Sequence, residues 1–430
     1  MTETLIGFAA FIALSFLRVP LALSMGIVGF AGFAWLVNVR AALAMSGQVA
    51  YETGFSYTLS VIPLFILMGN FIVKAKLAEE IYKAAYAFVG HRRGGLAIST
   101  VLASGLFGSV CGSALATTAT FTKIGGPSMR SFGYKDSLIA GTLASSGTLG
   151  ILIPPSIVLV LYGIMTGESI GRLFIAGIVP GILAVIVLCL VVMITVRYDP
   201  AAGPRGERQD WPTRLRSLRR VWPVVLLFCM ILGGIYAGVF TATEGAGIGA
   251  GGAFLFALTL GRMGIRDLLD VLIESGRTTA VLFLIMIGAF MFANFVNLTT
   301  MPSDLVAFIK WMNMSPMAVV LTICAIYILL GMAMEELSMI ALTVPLFYPV
   351  VTGIGYDGIW FGVMVVMVCM IGLTTPPVGI CVFVVKTLLP NLKLGDAFRG
   401  TWTFNAALVL LLLRIIAVPE IPLFLTQYMR

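Results

Sequence analysis

The chain has 430 residues, 60% of them hydrophobic and only 11% charged, and a mean hydropathy of +1.05. A soluble globular protein carries about 25% charged residues, so that class is excluded and a polytopic helical membrane protein is indicated. The net charge of +8 could suggest a nucleic-acid partner, but the basic residues sit in the connections between apolar segments, where membrane topology accounts for them.

Membrane helices need about 17–25 apolar residues. In the first half such spans read as 5–17, 21–39 and 55–73. Segment 5–17 follows the acidic Glu3 rather than a basic stretch and lacks a small-residue cleavage site, so it reads as a membrane helix and not a signal peptide. A polar stretch, 74–95, precedes a hairpin over 96–125 whose arms, 96–107 and 113–125, are each too short to cross alone. A broken helix follows over 136–167, interrupted near 147–155, and 173–196 closes the half. The polar linker 197–220 separates it from a second half with the same plan. There the spans are 221–239, 245–260 and 278–298, and the stretch 299–315 leads to a hairpin over 317–351 with arms 317–330 and 337–351. A broken helix over 358–389, interrupted near 372–377, and a last span, 401–425, complete it. The stretches 74–86 and 262–274 read as interfacial amphipathic helices that contact lipid or solvent, and Trp211 and Trp222 as headgroup anchors.

The two halves are related by more than plan. At a constant offset of 222 positions, Pro127, Gly133, Tyr134, Gly150, Pro154 and Pro155 recur as Pro349, Gly355, Tyr356, Gly372, Pro376 and Pro377. Six matches in one register, nearly all Gly or Pro, imply duplication. A re-entrant hairpin adds no net crossing, so each half crosses five times and the two repeats, 1–196 and 221–430, are inverted. With the linker cytoplasmic and both termini periplasmic, 22 of the 27 Lys and Arg fall on the cytoplasmic side, as the positive-inside rule requires.

Chemistry-bearing motifs are few. The six cysteines show no C-x-x-C pairing and read as small core residues. One histidine, His91, lies in a basic loop, and Walker A, G-x-S-x-G and H-E-x-x-H are absent from the sequence. Neither ATP-driven pumping nor enzymatic chemistry is therefore expected. What stands out is polar, irregular backbone at membrane depth, which survives only when buried in protein or lining a wet cavity.

The first tip, 107–114, carries Gly108, Ser109, Gly112 and Ser113, glycines for the reversal and serines to cap helix ends. The second, 331–338, carries Gly331, Glu335, Glu336 and Ser338. Each starts a short helix whose N-terminal dipole favours an anion. Opposite them, the breaks at 145–150 and 372–375 free carbonyls that suit a hard cation such as Na⁺. Ser113, Ser145, Ser146, Thr148, Glu335 and Thr374 are the candidate substrate contacts. Ser and Thr in membrane helices also bond back to their own backbone, and the plainer reading of the acidic pair has one residue capping its helix and the other facing water.

At these residues the sequence resembles the large membrane subunit of tripartite ATP-independent periplasmic (TRAP) transporters, the DctM-like family. The matching runs are 112–116, 153–156 with Tyr162-Gly163, 331–332, 342–345 and 371–379. The resemblance spans essentially the whole chain. It implies an elevator-type, Na⁺-coupled importer of a small organic anion, a carboxylate or related acid such as a sulfonate, in the bacterial inner membrane. It also implies two partners, a small four-helix membrane subunit and a periplasmic substrate-binding protein. By the same analogy one Na⁺ would lie at Ser109, Gly150 and Pro154, and a second at Gly331, Gly372 and Thr375. Two positions depart from the family pattern: Thr117 stands where Asp is common, and Cys381 where Asn is. The alternatives are a stand-alone symporter that needs no binding protein, and a membrane enzyme or purely structural subunit.

Overall fold

In the computed structural model, residues 2–260, 263–301, 304, 307, 311–312 and 314–429 are described. Arg262, Lys310 and Arg430, used above to set topology, and part of the 299–315 connection lie outside them. The described chain is all helical. Five helices are long and apolar enough to cross a membrane, and two bent pairs could each serve as a further span.

The first half opens with α1 (Thr2–Phe16) and α2 (Leu21–Leu36). The sequence reading left residues 40–54 between spans. Instead α3 (Val39–Phe55) is helical, started by the Asn38 side chain, which accepts from the Ala41 N–H at 2.8 Å. Its Arg40, Gln48 and Glu52 are exposed, which is why its mean hydropathy hides it. It joins α4 (Val61–Lys74) through a 57° bend. The amphipathic helix α5 (Leu77–Val89) buries Leu77, Ile81 and Tyr82 against its neighbours and presents Lys83 to solvent. The hairpin is α6 (Gly95–Cys111) and α7 (Ala114–Ser131). The broken helix is α8 (Asp136–Gly147), α9 (Leu149–Leu152) and α10 (Ile157–Thr166), and α11 (Ile170–Tyr198) follows.

The polar linker is shorter than its composition implies, and it is fixed. α12 (Trp211–Tyr236) begins ten residues before the expected span, because Pro212 sits in its first turn, a position that needs no backbone N–H. The irregular segment before it binds back to the first half: Gly94 N–H donates to Gly203 at 2.9 Å, Lys135 N–H to Ala202 at 3.0 Å and Gly206 N–H to Gly90 at 3.0 Å. Arg214 is buried, its Nε donating to the Ala87 carbonyl at 3.0 Å and its guanidinium lying over Trp211. The anchor assigned to Trp211 is thus also a cation–π platform.

This cluster surrounds His91. Its Nδ1 is shut off from water without a hydrogen-bond partner. Desolvation, then Arg214, Arg92, Arg208 and Arg205, hold the imidazole below its ordinary value of 6.5. Folding therefore prefers neutral His91, and that preference is felt as pH falls below 6.5, where the unfolded chain protonates first. Between about pH 7.5 and about pH 5.5 the wild type should lose more melting temperature than His91→Gln; equal losses would remove His91 from the acid response.

In the second half, α13 (Ala242–Thr259) starts with a reciprocal cap between Thr241 and Glu244. The separate amphipathic stretch and span expected over 262–298 are one helix, α14 (Ile265–Leu298), 34 residues long. Its charged first turns are held by Lys74, which pairs with Asp267 at 2.8 Å. Hydrogen bonding to Asp267 keeps the Lys74 ammonium above its ordinary pKa. α14 packs along α2, and α13 along α4. The second hairpin is α15 (Pro316–Gly331) and α16 (Glu336–Gly353), and the second broken helix is α17 (Gly358–Gly372) and α18 (Ile380–Leu388). α19 (Leu394–Ala417) starts before the expected 401 and ends before 425, where short turns take over. α17 is buried along its whole length, whereas α11 and α12 expose Ile186, Leu190, Trp222 and Val225, so the hairpins and breaks sit inside a lipid-facing shell.

Candidate functional site

The first hairpin is tighter than its sequence implied. α6 runs helical through Gly108 and Ser109 to Cys111, and the reversal is confined to Gly112 and Ser113. Gly112 takes φ +65°, a left-handed conformation that L side chains rarely adopt, and its N–H donates to Gly108 at 2.9 Å. Of the two serines expected to cap, only Ser113 does, accepting from Ala116 N–H at 3.4 Å. Ser109 instead donates to the Leu106 carbonyl at 2.6 Å, within its own helix.

Against this tip lies the first break, whose Pro154–Pro155 bond is cis. Ser156 bridges the gap, donating to the Ile151 carbonyl at 2.5 Å and accepting from Leu159 N–H at 3.3 Å. The helices meet backbone to backbone: a Cβ on Gly108 would lie 2.6 Å from the Gly150 Cα, and one on Gly150 would lie 2.9 Å from the Ser113 carbonyl oxygen. Gly150, Ser113 and the turn carrying Ser109 are therefore brought together. Ser146 accepts from Ser104 at 3.1 Å and Thr148 donates to the Ser145 carbonyl at 2.8 Å, so both are engaged within the helix layer. Ser145 is different: its hydroxyl is buried with no hydrogen-bond partner, as are those of Thr117, Thr118 and Thr142. The polar neighbours of Thr117 and Thr118 are the thiols of Cys111 and Cys381.

The second tip has the same relation to the second break. A Cβ on Gly372 would lie 2.8 Å from the Gly331 Cα. The Pro376–Pro377 bond is also cis, Gly379 N–H reaches back to the Met332 carbonyl at 3.3 Å, and Cys381 N–H bonds the Leu373 carbonyl at 3.1 Å. Thr374 and Thr375 are buried side by side. Thr374 donates to Asn405 Oδ1 at 2.6 Å, Asn405 Nδ2 donates to Thr375 Oγ1 at 3.1 Å, and Thr375 donates to the Ile371 carbonyl at 2.6 Å. Sequence reasoning missed Asn405; its signal was a lone amide inside a predicted membrane span.

The acidic pair does neither thing expected of it. Glu335 occupies the N-cap position of α16 without a side-chain cap, and its carboxylate accepts from the Ser338 hydroxyl at 3.1 Å. Glu336 is 3% exposed rather than water-facing, and its carboxylate lies by the backbone N–H of Ala114, so the two tips approach each other there. Tyr162 donates to the Gly358 carbonyl at 2.5 Å, tying α10 to α17, and Tyr348 donates to Glu168 at 2.8 Å, tying the connection after α10 to α16. Beside them a cleft of about 310 Å³, lined by Thr166, Asn297 and Tyr348, adjoins one of about 280 Å³ lined by Glu52 and Thr53, both touching Asn294.

The arrangement offers oxygen atoms from hydroxyls and interrupted helices, without a nucleophile–base pair, deep in a helical membrane protein. That is the build of a transporter core. The family profile of the tripartite ATP-independent periplasmic transporter, DctM component, matches residues 8–421, and the chain belongs to that family. It is accordingly a multi-pass inner-membrane subunit of a secondary transporter. Among its relatives, the C4-dicarboxylate TRAP transporter large permease protein DctM of Pseudomonas aeruginosa is 36% identical over 370 residues, 86% of each chain. The sialic acid TRAP transporter large permease protein SiaM of Vibrio cholerae is 32% identical over 372 residues, 85% of each. The crystal structure of the Alcanivorax borkumensis YdaH transporter, described as having an unusual topology, matches with a TM-score of 0.64 over 88% of both chains. At 13% identity it speaks for the fold alone.

Proposed function

We propose that the chain is the Na⁺-coupled membrane subunit that imports a small organic anion, a carboxylate or related acid, delivered by a periplasmic binding protein. A small four-helix membrane subunit completes the complex. The observation that carries this reading is the repeated contact of a hairpin glycine with a glycine beside a broken helix, Gly108 on Gly150 and Gly331 on Gly372. Each contact sets carbonyls and hydroxyls where a hard cation could be held. One Na⁺ would bind at Ser109, Gly150 and Pro154, the other at Gly331, Gly372 and Thr375. Residues Ser113, Ser145, Ser146, Thr148, Glu335 and Thr374 would form the surrounding substrate surface, with the unpartnered Ser145 hydroxyl the readiest contact. The hairpins and broken helices would move together as an elevator within two inverted repeats, with both termini periplasmic, and the polar clefts at Asn294 would be the approach from outside.

The test is uptake into proteoliposomes holding this chain and its small partner, under an inward Na⁺ gradient, with a panel of labelled acids. Uptake that needs both Na⁺ and the binding protein is the expected result. Na⁺-driven uptake indifferent to the binding protein would make the chain a stand-alone symporter, and uptake indifferent to Na⁺ would remove the proposed ion sites.

A further inference from the structure

Glu336 is a carboxylate without a counter-charge. It opens α16 at the second tip, is 3% exposed, and its Oε2 has no hydrogen-bond partner. The groups around it are the Ala114 N–H from the opposite hairpin, its own N–H, the Glu335 carboxylate, and the thiols of Cys369 in α17 and Cys381 in α18. Among the described residues no ion pair involves it.

The elements packed around it supply no cation. α2, α10, α15 and α17 carry no Lys, Arg or His. On α14, Arg266 and Arg277 are exposed in the charged early turns. On α7, Lys123 is exposed further along the helix, and Arg130 pairs with Asp136 at 3.6 Å. On α18, Lys386 donates to the carbonyls of Pro390 and Leu392 at 2.6 and 2.7 Å.

An ionised carboxylate buried so, beside a second acid, is opposed by desolvation and by like charge, and two helix N-termini offset only part of that. Neutralisation must come from solvent. A Na⁺ ion would need a full shell of hard oxygens, whereas of the groups named here only the two carboxylates supply them, the others being N–H donors and soft sulfurs. A proton needs only the carboxylate itself.

We propose that Glu336 binds a proton when the two tips close over it and releases it to water when they part, so that transport carries a proton in addition to its other cargo. The proton is taken at the free oxygen Oε2 and returned to water, with no other bond changed. Parting of the tips admits water and withdraws the apolar and thiol neighbours, which makes the ionised form favourable again. The coupling rests on the transport reading above, but the protonation does not.

Two measurements test it. Infrared spectra of the purified full-length chain at neutral pH should show a protonated-carboxyl C=O band that shifts in D₂O, is absent from Glu336→Gln and persists in Glu335→Gln. A wild type without the band, or a band that survives Glu336→Gln, overturns the proposal whether or not the preparation transports. In the proteoliposomes, with a pH dye in the lumen, uptake of any acid taken from the panel should acidify the interior for the wild type. Uptake by Glu336→Gln, at whatever rate, should move no protons. Wild-type uptake without acidification, or equal acidification per substrate in the variant, overturns the coupling.

Discussion

Gly372→Val is expected to abolish the Na⁺-driven uptake proposed for the chain, and Gly150→Val to do the same, while both proteins still insert into the membrane. At Gly372 an added Cβ would meet the Gly331 Cα at 2.8 Å and the Gly331 carbonyl carbon at 3.1 Å. Both are backbone atoms on a buried helix end, so no side chain can rotate away. The hairpin itself must withdraw, and with it the carbonyls that would face the ion. At Gly150 the Cβ would meet Thr117 Oγ1 at 2.7 Å and the Ser113 carbonyl oxygen at 2.9 Å, the second of them on the backbone of the first tip. Overpacking of this kind costs about 1–3 kcal/mol, enough to lower the melting temperature without unfolding the chain. Gly353→Ala is the control: its Cβ would meet nothing within 4 Å, and it leaves uptake unchanged. Uptake by Gly372→Val at the wild-type rate would mean that the glycine contact is packing alone.

The same contacts show what could be read from the sequence. The positions of the hairpins and breaks were legible because Gly and Pro interrupt apolar runs, and few residues survive such interruption at membrane depth. The helix α3 was not legible: Arg40, Gln48 and Glu52 lower its hydropathy, and the sequence gives no sign that a capped polar helix would run on into α4 through a bend. Helix ends were misjudged for the same reason, since α12 and α14 continue through charged turns that a hydropathy window reads as loop. Within the site, residue types were legible and partners were not. Ser109 and Ser113 looked equivalent, yet one bonds back along its helix and the other caps the next. Glu335 and Glu336 were not told apart, because the approach of the opposite hairpin at Ala114, which encloses Glu336, links positions far apart in sequence. Asn405 lay outside both motifs and became visible only when α19 was placed beside the second break.

Asn405→Ala is expected to raise the Na⁺ concentration needed for half-maximal uptake, on the proposed coupling, by about 10-fold, the size of effect that follows when a group that orients a metal ligand is removed. A hydroxyl has one donor and two acceptor lone pairs. Thr375 donates to the Ile371 carbonyl at 2.6 Å and accepts from Asn405 Nδ2 at 3.1 Å, which leaves one lone pair fixed in direction and available to a cation. Removing Asn405 frees that orientation, and it also deprives the Thr374 hydroxyl of its 2.6 Å acceptor. Thr374 can fall back on the Met370 and Ile371 carbonyls at 3.3 and 3.1 Å, so the stability loss stays near about 1–3 kcal/mol. Thr375→Val removes the oxygen itself and should weaken Na⁺ dependence at least as much as Asn405→Ala. In the double variant the two effects should not add, because Asn405 acts on the ion through Thr375. A Na⁺ titration paired with thermal melts separates the possibilities. If Asn405→Ala and Thr375→Val lower the melting temperature but leave the Na⁺ midpoint where it was, Thr375 is a packing residue and the second ion site must be sought on the carbonyls of Gly331 and Gly372 alone.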